Sequence, residues 1–370
     1  MSLTIEVHDE RWLDAERQAW AALTAKSGID PLFNSVSWVS LWWRTHGRSL
    51  RGALHIYVVR DGNELVAVLP TYRRTVRVYS LLAVTRIEVV GSTFRDGGGV
   101  FSEYLDAAIR PGFEVEAATA LAELIRGRRD WGEFVCANVR KDAWLLTHLA
   151  PRLGGSDTYV RAFEATNAWG IALEPGAAHW RAQLPSAVRR KVFGLRKRLI
   201  DPQLRVLGAS DLPEVFALLD RFHEARWGRP HFVGEVASFY RQLIEAQPSM
   251  ARPSLLLHDG WPVSALFDLV LGERQYNVQS GFAADAIPGV SLGYLHLGYA
   301  IEAAADLGIT HYDLLGGGGK QRDYKRDLAS PTSVMVTMQV IRSAALAGMY
   351  RWGDARNAAG KQATVEGGGD

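Results

Sequence analysis

The residues best suited to chemistry lie between Tyr276 and Asp327. Gly289-Val290-Ser291-Leu292-Gly293-Tyr294 opens a long apolar segment, His311-Tyr312-Asp313 follows it, and Tyr324-Lys325 lies in a basic stretch. A glycine-bearing turn that runs into a helix aims backbone N–H groups and the positive end of a helix dipole at an anion. Gly289 and Gly293 let backbone approach a pyrophosphate, and Ser291 caps the helix or bonds a phosphate. A plain helix start with glycines for tight turns explains the same residues equally well.

Gly289 to Gly293 also match G-x-S-x-G, the nucleophile elbow of hydrolases. That elbow needs its serine directly off a strand. Here the strand is expected to end near Ser280, with Ala283 to Pro288 intervening, so a phosphate cradle fits better. Gly316 to Lys320 resembles the end of a P-loop, but Gln321 stands where the magnesium-binding hydroxyl belongs, which argues against nucleotide hydrolysis. His223 and Glu224 are not in an H-E-x-x-H arrangement, so zinc hydrolysis has no support and no metal is expected.

Gln279 and Ser280 close one expected strand and Tyr312-Asp313 lie on another; if the strands are neighbours, these side chains meet beside the turn. Acyl transfer to an amine needs a deprotonated amine, a stabilised carbonyl oxygen and a neutralised leaving group. Asp313 could orient or deprotonate, Lys325 could stabilise negative charge, and Tyr312 or Tyr324 could donate a proton. Asp313 as a structural acceptor fits no less well. Arg226-Trp227, at the end of an amphipathic helix from Asp211 with a capping-box-like Asp211…Glu214, are candidates for a substrate cleft, or simply an exposed helix end. Arg189-Arg190-Lys191 and Arg196-Lys197-Arg198 flank an apolar stripe of Val188, Val192, Leu195 and Leu199, which predicts one basic helix. A solvated face is its ordinary meaning; a phosphate-binding surface is the sharper one.

Elements that could position these residues recur in both halves. Leu54–Arg60 and Glu64–Pro70 flank Asp61-Gly62, and Ser254–His258 and Pro262–Val270 flank Asp259-Gly260; both read as hairpins. Each is followed by a strand, a glycine turn, a helix and a strand. In the second half the turn leads straight into its helix at Ser291–Leu307, whereas Val100 to Gly112 separate turn from helix in the first. Trp38 and Trp42 share a helix face and are expected in the core. The chain of 370 residues is 48% hydrophobic and 22% charged, with a net charge of +2 that favours no partner class. The single Cys136 excludes an intramolecular disulfide framework and reads as a buried thiol. No apolar run reaches membrane-span length and the first residues lack signal-peptide character, so the expected location is cytoplasmic.

Phe33-Asn-Ser-Val-Ser-Trp38, Leu65–Pro70, Arg189–Lys191, Phe222-His-Glu-Ala-Arg-Trp227, Gln279-Ser-Gly-Phe282, Ser291-Leu-Gly293, Tyr312-Asp-Leu-Leu-Gly-Gly317 and Tyr324-Lys325 occur in an order and spacing that carry a resemblance. The chain resembles GNAT superfamily acetyltransferases of the CelD/BcsL-like type, associated with cellulose biosynthesis. The resemblance covers about Phe33 to Asp327. It implies an α/β (α+β) fold of tandem GNAT-like modules, each a mixed, mainly antiparallel twisted sheet flanked by helices. The expected boundaries are 1–165, a substrate wall, 166–356, the donor-binding module, and a disordered tail at 357–370. It also implies acetyl-CoA or another acyl-CoA as co-substrate, with pyrophosphate on Pro288 to Tyr294, and a small-molecule or saccharide acceptor with an amine or hydroxyl. The usual turn of the superfamily is Q/R-x-x-G-x-G/A; this chain offers Gly289 and Gly293 at wider spacing. The two-module plan, the basic helix and Tyr324-Lys325 are similar to Fem-type aminoacyltransferases as well, which implies aminoacyl-tRNA as the alternative donor. A third reading is a non-catalytic scaffold in polysaccharide assembly.

Overall fold

The computed structural model describes residues 3–94, 99–316 and 324–366. The chain divides into two compact units, one formed by 1–164 with 336–370 and the other by 165–335.

In the first unit, Leu3–His8 (β1) is an edge strand, followed by helices Trp12–Ala15 (α1), Arg17–Lys26 (α2) and Val36–His46 (α3). Ser35 caps α3 by accepting the Trp38 N–H, and Trp38 and Trp42 are fully buried, as their shared face predicts. Their indole N–H groups donate to Ser102 Oγ and the Val100 carbonyl. Ala53–Asp61 (β2) and Glu64–Val78 (β3) form the first Asp-Gly hairpin, with Leu82–Val89 (β4) antiparallel to β3 and Ala108–Ile109 (β5) as a short addition. Glu114–Gly127 (α4) crosses over to Glu133–Arg140 (β6), parallel to β4. Ala150–Leu153 (α5) follows, and the sheet order is β1-β2-β3-β4-β6. Cys136 is buried in this core, and burial pushes its thiol pKa far up.

Tyr159–Ala172 (β7) leads into the second unit, where helices Ala177–Gln183 (α6) and Ser186–Arg189 (α7) precede Gln203–Val206 (β8), Leu212–Trp227 (α8) and Gly234–Ala246 (α9). Ser254–His258 (β9) and Trp261–Leu271 (β10) are the second Asp-Gly hairpin; Arg274–Phe282 (β11) is antiparallel to β10. Leu292–Asp306 (α10) crosses over to His311–Leu315 (β12), parallel to β11 and antiparallel to β7. The order β8-β9-β10-β11-β12-β7 repeats the plan of the first unit. Tyr324–Leu328 (α11) follows, then Ser330–Ile341 (β13), which starts in this unit and ends beside β6 in the first, and Ala344–Glu366 (α12). The hairpins, crossover helices and mixed, mainly antiparallel sheets are those expected.

Four expectations change. The final strand and helix do not stay with the second module: the chain returns to the first at Val336, because β13 gives β6 its neighbour and brings Gln339 against Glu133. The helix α12 runs on into the segment expected to be a disordered tail. The basic segment is no single helix; it passes from α7 through a π-turn at Arg190–Gly194 to a 3₁₀ turn at Arg196–Arg198. Gly298 of α10 explains the distortion, since even a Cβ there would overlap Val192, so the two backbones meet closely. Asp211 does not form the expected box with Glu214; its Oδ2 accepts the Gly208 N–H instead.

Candidate functional site

The candidate site is built where β11 and β12 part. They pair at Arg274–His311, Gln275–Tyr312 and Tyr276–Asp313. Among the described residues, β11 then runs from Asn277 to Phe282 with β10 as its only strand neighbour. The register shifts between Phe267 and Asp268, which leaves Val278 as an extra residue on β11. Such a bulge bends its strand and accounts for the separation. Gln279 and Tyr312-Asp313 are therefore on neighbouring strands, as expected, but Gln279 lies beyond the last pair and does not face them.

The turn after β11 needs Gly289, whose φ is +71°. Ser291 is exposed, occupies the N-cap position of α10 and makes no side-chain cap bond; no acidic residue lies in the first turn. Val290 and Leu292 point into an apolar cluster with Ile287, Leu295 and Leu199, so only their backbones can face a ligand. Gly293 lies against the Phe282 ring, which a Cβ would approach to 3.2 Å. Arg198 Nη1 donates to the Pro288 carbonyl at 3.3 Å, placing a cation at the turn. Farther along α10, buried His296 bridges to the hairpin. Ser264 donates to the Gly281 carbonyl and so accepts the His296 Nδ1–H, leaving Nε2 to accept from Ser254. Burial lowers the His296 pKa to about 3, so the imidazole is neutral.

Three predicted residues collect at the end of β12. Asp313 is buried and its Oδ1 accepts the Leu315 N–H at 2.7 Å, shaping a turn in which Leu315 has φ +61°. Lys325 Nζ donates to the carbonyls of Leu315, at 3.3 Å, and Gly316. Tyr324 stands with its ring 6.5 Å from that of Tyr294, whose hydroxyl donates to Asp327 at 2.7 Å. Lys191 lies 4.8 Å over the Tyr294 ring and 3.7 Å from Asp327. Tyr294 thus joins the glycine turn to the Tyr324–Lys325 segment. The loop predicted from Gly317 to Lys320, and Gln321, fall outside the described residues.

Tyr312, a candidate proton donor in the sequence, is fully buried, and its hydroxyl donates to Asp268 Oδ2 at 2.5 Å. Gln275 and Asn277 donate to the same carboxylate at 2.6 and 2.7 Å. Burial raises the Asp268 pKa to about 6 against these three hydrogen bonds. Sequence reasoning missed this residue, although a lone carboxylate in Ala265-Leu-Phe-Asp-Leu-Val270 is the signal a buried network leaves. Arg226 and Trp227 are exposed at the end of α8, where Gly228 takes the left-handed C-terminal conformation. The Arg226 guanidinium lies 5.9 Å from the centre of the Phe282 ring, so the pair reaches the glycine turn through that ring. No group of three acidic, histidine or cysteine side chains is placed to hold a metal among the described residues. No described helix is long and apolar enough to cross a membrane.

Residues 186–326, which include this crossover, match the family described as an Acetyltransferase (GNAT) domain. Among solved structures, FemX superposes with a TM-score of 0.60 at 12% identity, over 94% of this chain and 99% of FemX. L-PGS from Bacillus licheniformis gives 0.53 at 10% identity, over 90% and 93% of the two chains. A conserved protein of unknown function from Bacteroides thetaiotaomicron gives 0.52 at 11% identity, over 91% and 99%. At these identities the likeness is one of fold. No curated protein sequence matches the chain.

Proposed function

We propose that the second module binds an acyl-CoA and transfers its acyl group, acetyl in the simplest case, to an amine or hydroxyl of a small molecule or saccharide. The observation that carries this reading is the parting of β11 from β12 beside the start of α10. An unpaired strand edge offers backbone groups to the amides of an extended thiol arm. The first turn of α10, free of acidic residues and flanked by Arg198, suits the pyrophosphate. In this reading Gly289, Ser291, Gly293 and Tyr294 hold the donor, and Val290 and Leu292 contribute backbone alone.

Lys325, at the carbonyl end of β12, neutralises charge that develops on the thioester oxygen or leaving thiolate. Tyr324 supplies the proton that the thiolate takes up, and the proton lost by the acceptor's amine or hydroxyl restores it through solvent. Asp313 is a positioning residue, through its bond to the Leu315 N–H. Gln279, on the open stretch of β11, contacts donor or acceptor, and Arg226 and Trp227 orient the acceptor. Tyr312 keeps the strands in register through Asp268 rather than touching substrate. The saccharide acceptor, a setting in polysaccharide assembly and a cytoplasmic location rest on the CelD/BcsL-like resemblance and on the donor's chemistry. Calorimetric titration of acetyl-CoA tests the proposal: saturable binding that Arg198→Ala weakens is expected, and a folded protein that binds none overturns it.

The Fem-type reading has its own observation in the fold likeness to FemX and in Arg198 and Lys191 beside the start of α10. It predicts tRNA binding that weakens steeply with salt and with neutralisation of Arg189, Arg190 and Lys191. Binding that ignores both would remove it.

A further inference from the structure

A second basic site lies in the first unit, away from its crossover. At the end of the sheet where β2 and β6 begin, a cleft of about 620 Å³ opens among Arg51, Arg73, Arg74, Thr75, Arg129 and Ser343. The helix α4 leaves from the opposite end of β4, so this cleft is not the counterpart of the donor site in the second module. Its volume is that of a small-ligand pocket. Four arginines line it against a single carboxylate, Asp130. That carboxylate is already shared: Arg128 grips it at 2.8 and 3.1 Å, and Arg73 meets it too. Arg74 is buried and paired with Glu88 at 2.7 Å. Arg51 and Arg129 are exposed at the rim, and neither meets a carboxylate among the described residues.

Uncompensated guanidinium groups around a concavity repel one another, an arrangement that a bound anion relieves. Thr75 and Ser343 also line the cleft. The field reaches inward as well: half-buried His55 is held to about 4, by burial first and then by Arg73 and Arg128. We infer that this cleft binds a small polyanion bearing two or more phosphate groups, gripped by Arg51 and Arg129 at the rim and Arg73 within. Guanidinium forks match phosphate oxygens in pairs, so arginine rather than lysine is the expected lining. A nucleic acid fits less well, because the aromatic lining residue, Trp131, is buried and offers no face for stacking.

The experiment is calorimetric titration of the full-length protein with inorganic pyrophosphate at low ionic strength, compared between the parent and variants of each site. Binding at one site is expected. The double variant Arg51→Ala, Arg129→Ala should weaken it about tenfold or more with an unchanged melting temperature, while Arg198→Ala, at the turn before α10, leaves it alone. Absence of binding, or pyrophosphate affinity equal in the double variant, overturns the inference. So does a single-stranded oligonucleotide that binds far more tightly than pyrophosphate and loses its affinity in the double variant, since the site would then serve a macromolecule. Failure here leaves the acetyl-CoA titration untouched, because the two sites are in different units.

Discussion

The two modules share a crossover and treat its anion-binding positions in opposite ways. In the first, α4 begins with Glu114 and Glu116, and the Glu114 carboxylate accepts the Gly112 N–H. Asp106 accepts the backbone N–H groups of Ala107, Trp144 and Leu145. Strand β4 ends at Val89, one residue past its last pair with β6, so no stretch of open edge follows. Between these strands lies a buried network in which Glu88 pairs with Arg74, and Glu133 with Arg86 and Gln339. In the second, α10 starts without an acid, β11 runs on to Phe282, and one carboxylate, Asp268, is met by neutral donors. The first module supplies its own anions; in the function proposed above, the second leaves the same positions to a ligand. A fold can be repeated while the function stays with one copy, and the difference lies in a few carboxylates and one bulge.

The largest expected effect breaks the first half of that comparison. Glu88→Ala removes the buried carboxylate that pairs with Arg74 and accepts the Phe94 N–H. Removing one member of a buried ion pair costs about 3–5 kcal/mol. Urea unfolding should show that loss, while acetyl-CoA affinity at the second module stays within about twofold. A matching loss of donor affinity would mean the first module is no mere self-satisfied copy.

Next comes Lys325→Ala, which removes the cation at the end of β12. Loss of one preorganised electrostatic group costs about 10²–10³ in rate. The drop should fall on kcat, with the acetyl-CoA Kd nearly unchanged. A change in Kd alone would recast Lys325 as a clasp for the Leu315 and Gly316 carbonyls.

Much of this contrast was legible in the sequence, and the reasons differ by residue. Asp61-Gly62 and Asp259-Gly260 announce hairpins because their turn chemistry is local. Gly289, two residues before Ser291, announces a helix start for the same reason. The return of β13 to the first module was not legible, since it depends on which distant strand Val336 onward meets. Nor was the burial of Tyr312: His311-Tyr-Asp looks like a polar strand end until Asp268 is found beneath it. The basic segment read as one helix because periodicity does not report the close approach of Gly298.

Acid titration sharpens the second module's side. The His296 pKa, lowered to about 3, makes stability full above its ordinary value of 6.5 and progressively lost as pH falls toward 3. Asp268 has the opposite sign: raised to about 6 from 3.8, it favours the fold below 3.8 and loses that advantage as pH rises through 6. Between about pH 4 and 6 these two linkages oppose each other, while His311, lowered to about 4 by burial, adds to the His296 side. His296→Asn removes one of them. The stability gained from pH 4 to pH 6 should then be smaller in the variant than in the parent, by up to about 3 kcal/mol. Urea midpoints at pH 4 and pH 6 measure it, and a variant with the parent's pH dependence would show that His296 does not carry the shift.

The smallest effect is the most pointed. Gly293→Ala places a methyl 3.2 Å from the Phe282 ring edge, in the first turn of α10. Alanine favours helix over glycine by up to about 1 kcal/mol, so the fold should hold or gain slightly. The methyl nevertheless crowds the face on which a pyrophosphate would sit, and acetyl-CoA should bind about tenfold more weakly, roughly 1.4 kcal/mol. Gly112→Ala is the matching change before α4. Its φ of +88° is costly for alanine, so stability should fall by about 1 kcal/mol, yet donor affinity should not move. One glycine then serves a ligand and the other only the chain. If Gly293→Ala behaves like Gly112→Ala, losing stability and keeping the donor, the second turn is as self-contained as the first and the asymmetry between the modules is one of charge alone.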